Sequence, residues 1–253
     1  MIHRLAEMMT RAKNLVFFGG AGVSTASGIP DFRSADGLWN QKYKRNLSPE
    51  ELVSHSFFER DPEDFFEFYK EKLIYPEARP NGCHRALARL EKAGLLKAVI
   101  TQNIDGLHQA AGSRTVYELH GSVLRNYCTR CRAAYGVDFI LESKGVPVCP
   151  KCGSIIKPDV VLYEEMLDEG VINKAVRAIS QADMMIIGGT SLIVYPAAGF
   201  VRYFNGDKLV IINKTATQAD DNADLVIRED IASVMEQAAE EWEKLQSGIK
   251  ENK

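Results

Sequence analysis

The sequence has no long apolar run and no excess of charge of either sign. Apolar stretches such as Met184–Ile187 are far too short to cross a bilayer, and Glu7 stands where a secretory signal needs continuous apolar residues. The formal net charge of -3 favours neither nucleic acid nor an anionic membrane as a partner. We therefore expect a cytoplasmic protein that binds neither, and since nothing signals an oligomer we expect a monomer.

Internal repeats and low-complexity linkers are also missing, which argues against a repeat protein or a largely disordered chain. The 253 residues are 45% hydrophobic and 26% charged, as in ordinary globular proteins. A chain of this length can bury a substantial core as one large domain, or as one domain with a small second one.

Cysteine is scarce, and its placement is unlike a disulfide framework. Four of the five cysteines form two Cys-x-x-Cys pairs, Cys128 with Cys131 and Cys149 with Cys152. Two disulfides or a redox site are alternatives, but a reducing compartment disfavours the first and the matched pairs disfavour the second. The spacing predicts a zinc ribbon whose four thiolates leave no open coordination position, hence a structural zinc. Cys83 is expected to be a small buried residue.

Short apolar runs alternate with helical patterns along most of the chain. This alternation predicts an α/β fold, with a Rossmann-like parallel sheet covered by helices on both faces, a small zinc-ribbon module and a helical insertion. Polar or glycine residues follow the strands, and the carboxyl ends of parallel strands meet at one crevice. The predicted strands are Leu15–Phe18, Ala98–Thr101, Val116–Leu119, Met184–Ile187, Leu209–Ile212 and Leu225–Ile227, and a helix is expected over Ile231–Leu245.

The same pattern divides the chain into three modules. We assign 1–36, 78–122 and 158–253 to the Rossmann-like domain. The aromatic-rich segment 37–77 is the helical insertion, and 123–157 is the zinc-binding module.

A glycine-rich turn over residues 19–33 follows the first predicted strand, and its backbone could approach a pyrophosphate closely. A dehydrogenase fingerprint would need a glycine in place of Thr25 and an acidic residue at the end of a second strand. Glu50 and Glu51 lie at the right distance, but Ser48 marks a capped helix start there. The turn therefore predicts either a dinucleotide site of another kind or a tight strand-to-helix turn.

Five motifs in a fixed order resemble those of the sirtuins, NAD-dependent protein-lysine deacylases, over essentially the whole chain. They are GAGVSTASGIPDFR at 20–33, TQNIDGLH at 101–108, ELHGS at 118–122, KPDVVLYEE at 157–165 and GGTSLIVYPAA at 188–198, together with the cysteine pairs. Each is common or short by itself, whereas their order and spacing together are specific.

The resemblance implies that NAD is a consumed co-substrate. In such enzymes the bond between nicotinamide and ribose is cleaved, the acyl-lysine oxygen captures the ribose carbon, and the acyl group leaves as O-acyl-ADP-ribose. The reaction needs a base for a ribose hydroxyl, and the ELHG match makes His120 the candidate. Asn103 is implied to orient the ribose or a water. The other histidines, His3, His55, His84 and His108, are expected to be structural or at the surface.

The matched motifs also imply the contacts to NAD. Asp105 and Ile104 would hold the carboxamide, Gln102 and Arg33 would lie by the ribose, and Phe32 would shield the reacting carbon. A helix cap is the alternative role for Asn103 and Asp105. The remaining implied contacts are Gly20, Ala21, Gly22, Thr25, Asp31, Gly189, Thr190 and Ser191, with Asn213, Lys214 and Ile231 at the adenosine end.

An acetylated protein or peptide is the implied partner, and it would pair as an added strand with Val160, Val161, Leu162 and Tyr163. Val161 would line the apolar tunnel. The chain departs from the family pattern, which often has Phe and Gly where this sequence has Tyr163 and Glu164. We therefore expect a changed sequence preference, with basic residues favoured opposite Glu164 and Glu165.

Deacetylation is the expected activity, with longer apolar acyl groups also possible. The resemblance implies that removal of acidic acyl groups needs a tyrosine with an arginine three residues later. This chain has Tyr69 and Lys72 there, and lysine cannot bind a carboxylate through two donors as arginine does, so acidic acyl groups are less favoured.

Alternatives on the same fold are a mono-ADP-ribosyltransferase and an NAD hydrolase. A hydride-transferring dehydrogenase lacks its fingerprint here. A nucleic-acid-binding zinc ribbon would use the basic residues Arg125, Arg130, Arg132 and Lys151.

Overall fold

The computed structural model describes residues 1–31 and 47–251. The strands are β1 (Leu15–Gly19), β2 (Leu96–Thr101), β3 (Val116–Glu118), β4 (Gly121–Cys128), β5 (Ala134–Gly136), β6 (Ile156–Val160), β7 (Met184–Gly188), β8 (Lys208–Ile212) and β9 (Leu225–Ile227). The helices are α1 (Ile2–Arg11), α2 (Pro49–Leu52), α3 (His55–Arg60), α4 (Pro62–Lys72), α5 (Gly82–Lys92), α6 (Leu107–Ala110), α7 (Val137–Glu142), α8 (Glu169–Ser180) and α9 (Ile231–Glu251).

Six strands form a parallel sheet in the order β3-β2-β1-β7-β8-β9. Every residue of β1 and β7 is buried, because both faces of a parallel sheet are covered and its strands are apolar throughout. Residues of α1, α5 and α9 pack on one face, and residues of α8 and of the 3₁₀ segment Ala197–Tyr203 pack on the other. The predicted α/β sheet with helices on both faces is confirmed.

The strand order reverses between β1 and β7. In open α/β sheets the loops on either side of such a reversal diverge and leave a crevice at the carboxyl ends of the strands. None of the helices in the described ranges combines the length and the apolar character that a membrane crossing requires.

Helices α2 to α4 pack on the second, antiparallel sheet, which has the order β5-β4-β6. Ser48 and Glu51 form the capping box that starts α2, which confirms the predicted helix start. Asp61 caps α4 by accepting a hydrogen bond from the amide of Asp64. The helical insertion and the cysteine-bearing sheet share one hydrophobic cluster, so neither has a core of its own.

The glycine turn differs from the sequence expectation of a strand followed directly by a helix. It continues into two 3₁₀ turns, Ala21–Val23 and Thr25–Ser27. The amide of Ser24 donates to the carbonyl of Ala21, and the amide of Gly28 donates to that of Thr25, so i to i+3 bonds replace helical ones. Gly28 then leaves the turn at a φ of 83°, which glycine adopts without steric cost.

The aromatic cluster of the helical insertion should be a main source of its stability. Phe65 is fully buried, stacks on Tyr69 at 5.7 Å between ring centroids and meets Phe58 and Phe66 edge-on. We predict that Phe65→Ala lowers the free energy of unfolding by about 3 to 5 kcal/mol, since it removes buried area and leaves a cavity. Urea unfolding measures this free energy, with Phe65→Leu, which keeps a large apolar side chain, as the control. Equal losses in the two variants would contradict this role.

Candidate functional site

The register of the parallel sheet makes the loops that carry the predicted site residues begin at the same edge of the sheet. Gly19 at the end of β1 pairs with Thr101 of β2 and with Gly188 of β7, and Gly188 pairs in turn with Ile212 of β8. Four strands therefore end side by side, and the residues that follow them start from one edge. These residues include Gly20, Ala21 and Gly22 after β1, Gln102 and Asn103 after β2, Gly189, Thr190 and Ser191 after β7, and Asn213 after β8.

The loops after β1 and β7 are in backbone contact. The amide of Gly22 donates to the carbonyl of Gly189 at 2.8 Å, and the amide of Gly20 donates to that of Gly188 at 3.2 Å. A Cβ on Gly22 would lie 2.8 Å from the Cα of Gly189, and one on Gly189 would lie 2.4 Å from the amide nitrogen of Val23. Glycine is required here because the two loops approach so closely.

Ser24 connects the two polar residues predicted from the segment after β2. The Nδ2 of Asn103 donates to the Oγ of Ser24 at 3.0 Å, and that Oγ donates to the Oδ2 of Asp105 at 2.6 Å. Burial raises the pKa of the Asp105 carboxyl, and bonds from Ser24 and the amide of Leu107 counteract this. Ser24 was not singled out from the sequence; its place inside the glycine-turn motif was the only signal.

His120 lies just after β3, beside the Asn103 segment. Its Nδ1 is 2.9 Å from the carbonyl oxygen of Gln102. A carbonyl only accepts, so Nδ1 carries the hydrogen and Nε2 is left as the acceptor. Burial lowers the pKa of the imidazole, and the bond to Gln102 offsets part of that effect. His120 is thus held neutral near pH 7 with one nitrogen able to take a proton.

Gln102 and Thr190 join the loops after β2 and β7. The Nε2 of Gln102 donates to the Oγ1 of Thr190 at 3.1 Å, and Thr190 is 8% exposed. The Oγ1 of Thr25 donates to the carbonyl of Gly22, so Thr25 stabilises the 3₁₀ turn itself. Ser191 is half-buried at the same edge.

The predicted adenosine end lies beyond β8 and β9. The side-chain amide of Asn213 donates to the carbonyl of Thr215 at 2.9 Å. Lys214 is exposed and forms an ion pair with Asp230 at 3.0 Å. Ile231, 4% exposed, starts α9 and packs in the core next to the sheet edge.

Two further predicted residues, Ile104 and Asp31, lie in the described part of the chain, and two others do not. The carbonyl of Ile104 accepts the amide of Val123 at 3.0 Å, which links the Asn103 segment to β4. Asp31 is half-buried. Phe32 and Arg33 lie outside the described residues.

The predicted peptide-binding segment follows β6 and contacts the His120 segment directly. Val160 and Leu162 are buried, Val161 is half-buried and the Tyr163 side chain is exposed. The amide of Val161 donates to the carbonyl of His120 at 3.0 Å. The amides of Leu162 and Tyr163 also donate within the chain, so an added peptide strand must use other backbone groups of this segment.

Both carboxylates after Tyr163 are hydrogen-bonded to the helical insertion or to β6. The two oxygens of Glu164 accept from the amide and the hydroxyl of Ser56 at 2.9 and 3.0 Å. Glu165 contacts His55 at 2.8 Å and Lys157 at 3.0 Å, and the bond from Glu165 raises the pKa of His55. These bonds weaken the expectation that basic peptide flanks are favoured, since that expectation needs free carboxylates.

The four paired cysteines converge as a metal site. Their sulfur atoms all lie within 4.8 Å of one another, with Cys128 and Cys152 at 3.4 Å and Cys131 and Cys149 at 3.6 Å. A tetrahedral zinc with bonds of about 2.3 Å requires sulfurs roughly 3.8 Å apart, so the donor set fits a closed, structural zinc site. The Tyr135 hydroxyl lies 3.0 Å from the sulfur of Cys149, and the sequence did not indicate this hydrogen bond to a metal ligand.

A model of the Sir2 family matches residues 20–196 of the chain. The chain belongs to the Sir2 family. The matched span holds the glycine turn, Asn103, His120, all four zinc-site cysteines and the peptide-binding segment. The family resemblance that the five motifs predicted is confirmed.

Proteins that are similar over nearly the full chain are named as NAD-dependent deacetylases or Sir2 proteins. An NAD-dependent protein deacetylase of Clostridium perfringens (strain 13 / Type A) is 65% identical over 235 residues, 92% of this chain and 96% of that protein. A Sir2 variant solved with a deacetylated p53 peptide and 3′-O-acetyl-ADP-ribose is 42% identical, with a TM-score of 0.86 over 95% of this chain and 98% of that one. A Sir2 homologue solved with NAD is 39% identical, with a TM-score of 0.85 over 96% and 94%.

Zinc binding should depend on Tyr135 as well as on the four thiolates. We predict one zinc per chain, and we predict that Tyr135→Phe keeps this stoichiometry but lowers zinc affinity about tenfold, because Cys149 loses its hydrogen-bond donor. Competition with a chromogenic chelator measures the affinity. Tyr127→Phe, on the same small sheet, is the matched control. Unchanged affinity in Tyr135→Phe would show that the contact has no role in metal binding.

Proposed function

We propose that this chain is an NAD-dependent protein deacetylase that releases nicotinamide and transfers the acetyl group of a protein lysine to ADP-ribose. The observation that carries the proposal is the neutral His120, fixed through Nδ1 and free to accept at Nε2, beside the Asn103–Ser24–Asp105 array. Its membership of the Sir2 family and the names of its relatives support the same activity.

NAD supplies an electrophilic ribose carbon when its bond to nicotinamide breaks. Asp105 is suited to hold the carboxamide, because its half-buried carboxylate is an acceptor and a carboxamide is a donor. Asn103 is placed by Ser24 to orient the ribose or a water. Gly20, Ala21, Gly22, Thr190 and Ser191, from the two loops in backbone contact, are proposed for the pyrophosphate, and Asn213 for the adenosine ribose.

His120 then acts as the general base. Its Nε2 takes the proton of a ribose hydroxyl, which makes that oxygen a better nucleophile towards the captured acyl group. Nδ1 cannot accept the proton of the ribose hydroxyl, because it already carries a hydrogen that it donates to the carbonyl of Gln102. Through its carbonyl, His120 is also bonded to Val161, so base and peptide segment are placed by one contact.

Acetyl is the acyl group that the site supports best. Tyr69 is fully buried in the aromatic cluster of the helical insertion, and Lys72 forms an ion pair with Glu71 at 2.9 Å. Neither side chain presents the donor pair that a carboxylate-bearing acyl group would need.

A nucleic-acid role for the zinc module is less well supported than catalysis. Arg125, one of the four basic residues considered for it, forms ion pairs with Glu118 and Asp159 at 2.7 and 2.8 Å. Arg132 stacks over the ring of Tyr127 at 5.3 Å. These contacts neutralise or occupy part of the basic face.

The three-module division at 36/37, 77/78, 122/123 and 157/158 stays a proposal, and β4 and β6 each cross one of these boundaries. We also propose a cytoplasmic location, because the reduced thiols of the zinc site persist in a reducing compartment. The proposed enzyme acts as a monomer and needs neither nucleic acid nor membrane.

The activity is tested with NAD and an acetyl-lysine peptide, following nicotinamide and deacetylated peptide together. We predict that His120→Ala lowers kcat by about 10² to 10⁴, since general-base catalysis contributes that much. His3→Ala, an exposed histidine paired with Glu241, is the control and should be unchanged. Full activity in His120→Ala would contradict the mechanism.

The pH dependence of the rate should also reflect the lowered pKa of His120. The neutral imidazole is the active form, so activity falls as pH drops through the folded-state pKa. Because burial lowers that pKa, the acidic limb of kcat/KM should have its midpoint below 6.5, the ordinary histidine value. Circular dichroism over the same pH range checks that the fold persists. A midpoint at or above 6.5 would rule out His120 as the titrating base.

A further inference from the structure

Glu164 has a backbone conformation that side chains rarely adopt. Its φ is 76°, in the left-handed region where Cβ crowds the following carbonyl and glycine is favoured. Within residues 1–31 and 47–251, Arg132 and Leu192 are the other non-glycine residues at positive φ. A residue persists in such a conformation when surrounding contacts hold it there.

The contacts that hold Glu164 come from one residue of the helical insertion. Its carboxylate spans both donors of Ser56: one oxygen accepts the amide at 2.9 Å and the other accepts the hydroxyl at 3.0 Å. Ser56 lies in the first turn of α3, where amides have no partner within the helix, and an anionic acceptor there forms a charge-assisted bond. Glycine at position 164 would relieve the backbone but could make neither bond.

The backbone next to Glu164 is fastened to the same helix start. The amide of Tyr163 donates to the carbonyl of Val53, and the amide of His55 donates to the carbonyl of Tyr163, both at 3.0 Å. Ser54 and Tyr163 form a parallel bridge between these bonds. The bonds of Glu164 thus extend a short ladder that joins the segment after β6 to the helical insertion.

This ladder ends at Tyr163, two residues after Val161, which is hydrogen-bonded to the catalytic histidine. Val161 donates its amide to the carbonyl of His120, and Tyr163 follows after the buried Leu162. A shift of the backbone at Glu164 would therefore also move Val161 to Tyr163, which lie between His120 and the helical insertion. Because the carboxylate is turned to Ser56, it would act through the position of this segment and not by pairing with the substrate.

We propose that Glu164 is a positioning residue that latches the peptide-binding segment Val160–Tyr163 to the helical insertion through Ser56, setting the affinity for the acyl-lysine peptide. The proposal rests on the proposed deacetylase activity. The observation that supports it does not depend on that activity. It is that Glu164 has a left-handed backbone conformation and that its carboxylate accepts from both donors of Ser56.

The test compares Glu164→Gly with the wild type. If Glu164 latches the segment, the KM for the peptide should rise about fivefold, because two hydrogen bonds to a partly exposed charge are lost. This rise is expected even though glycine relieves the left-handed backbone. The kcat at saturating peptide and the KM for NAD should stay within about twofold. Hydrogen exchange of the amides of Tyr163 and His55 should become faster. Unchanged peptide KM and unchanged exchange would overturn the proposal.

Two further variants separate latching from other effects. Ser56→Ala removes one donor and should raise the peptide KM less, with no further rise when combined with Glu164→Gly. Glu164→Gln keeps an acceptor and should be intermediate for every peptide; a loss confined to peptides with basic flanks would mean direct pairing with the substrate and overturn the latch. If the wild type deacetylates nothing, the proposed function fails, and exchange alone then decides for or against the latch.

Discussion

The side-by-side pairing of β1 and β7 is the constraint on which the site depends. It places Gly22 and Gly189 so close that their backbones are hydrogen-bonded and no side chain fits between them. From that contact the two loops diverge, and the strands on either side end at the same level. The glycines therefore let the two loops meet at the sheet edge where strand reversal places a crevice.

A second constraint is the burial of polar groups around that crevice. Ser24 is 1% exposed and is bonded to both Asn103 and Asp105, so each of these side chains has one fixed direction. His120 is oriented in the same way by a backbone carbonyl. Polar groups held by hydrogen bonds resist reorientation, and this preorganisation favours a single orientation of a bound substrate.

Much of this architecture was predictable from local pattern. Strand runs such as Met184–Ile187, the capped helix start at Ser48 and the cysteine pairs are contiguous signals, and their chemistry is visible in the residue types. The bond between Glu164 and Ser56 joins positions 108 residues apart, and no spacing rule links a glutamate to a distant serine. The 3₁₀ turns after β1 were missed because i to i+3 and helical bonding share the same sequence signals.

The proposed mechanism requires that NAD is consumed in step with deacetylation at one site. Mass spectrometric counting of nicotinamide and freed lysine in the same reaction tests it most directly. We expect one nicotinamide per deacetylated lysine, with O-acetyl-ADP-ribose as the third product and little nicotinamide released without peptide. Rapid nicotinamide release in the absence of acetylated peptide, or ADP-ribose attached to the protein substrate, would contradict it and identify an NAD hydrolase or an ADP-ribosyltransferase.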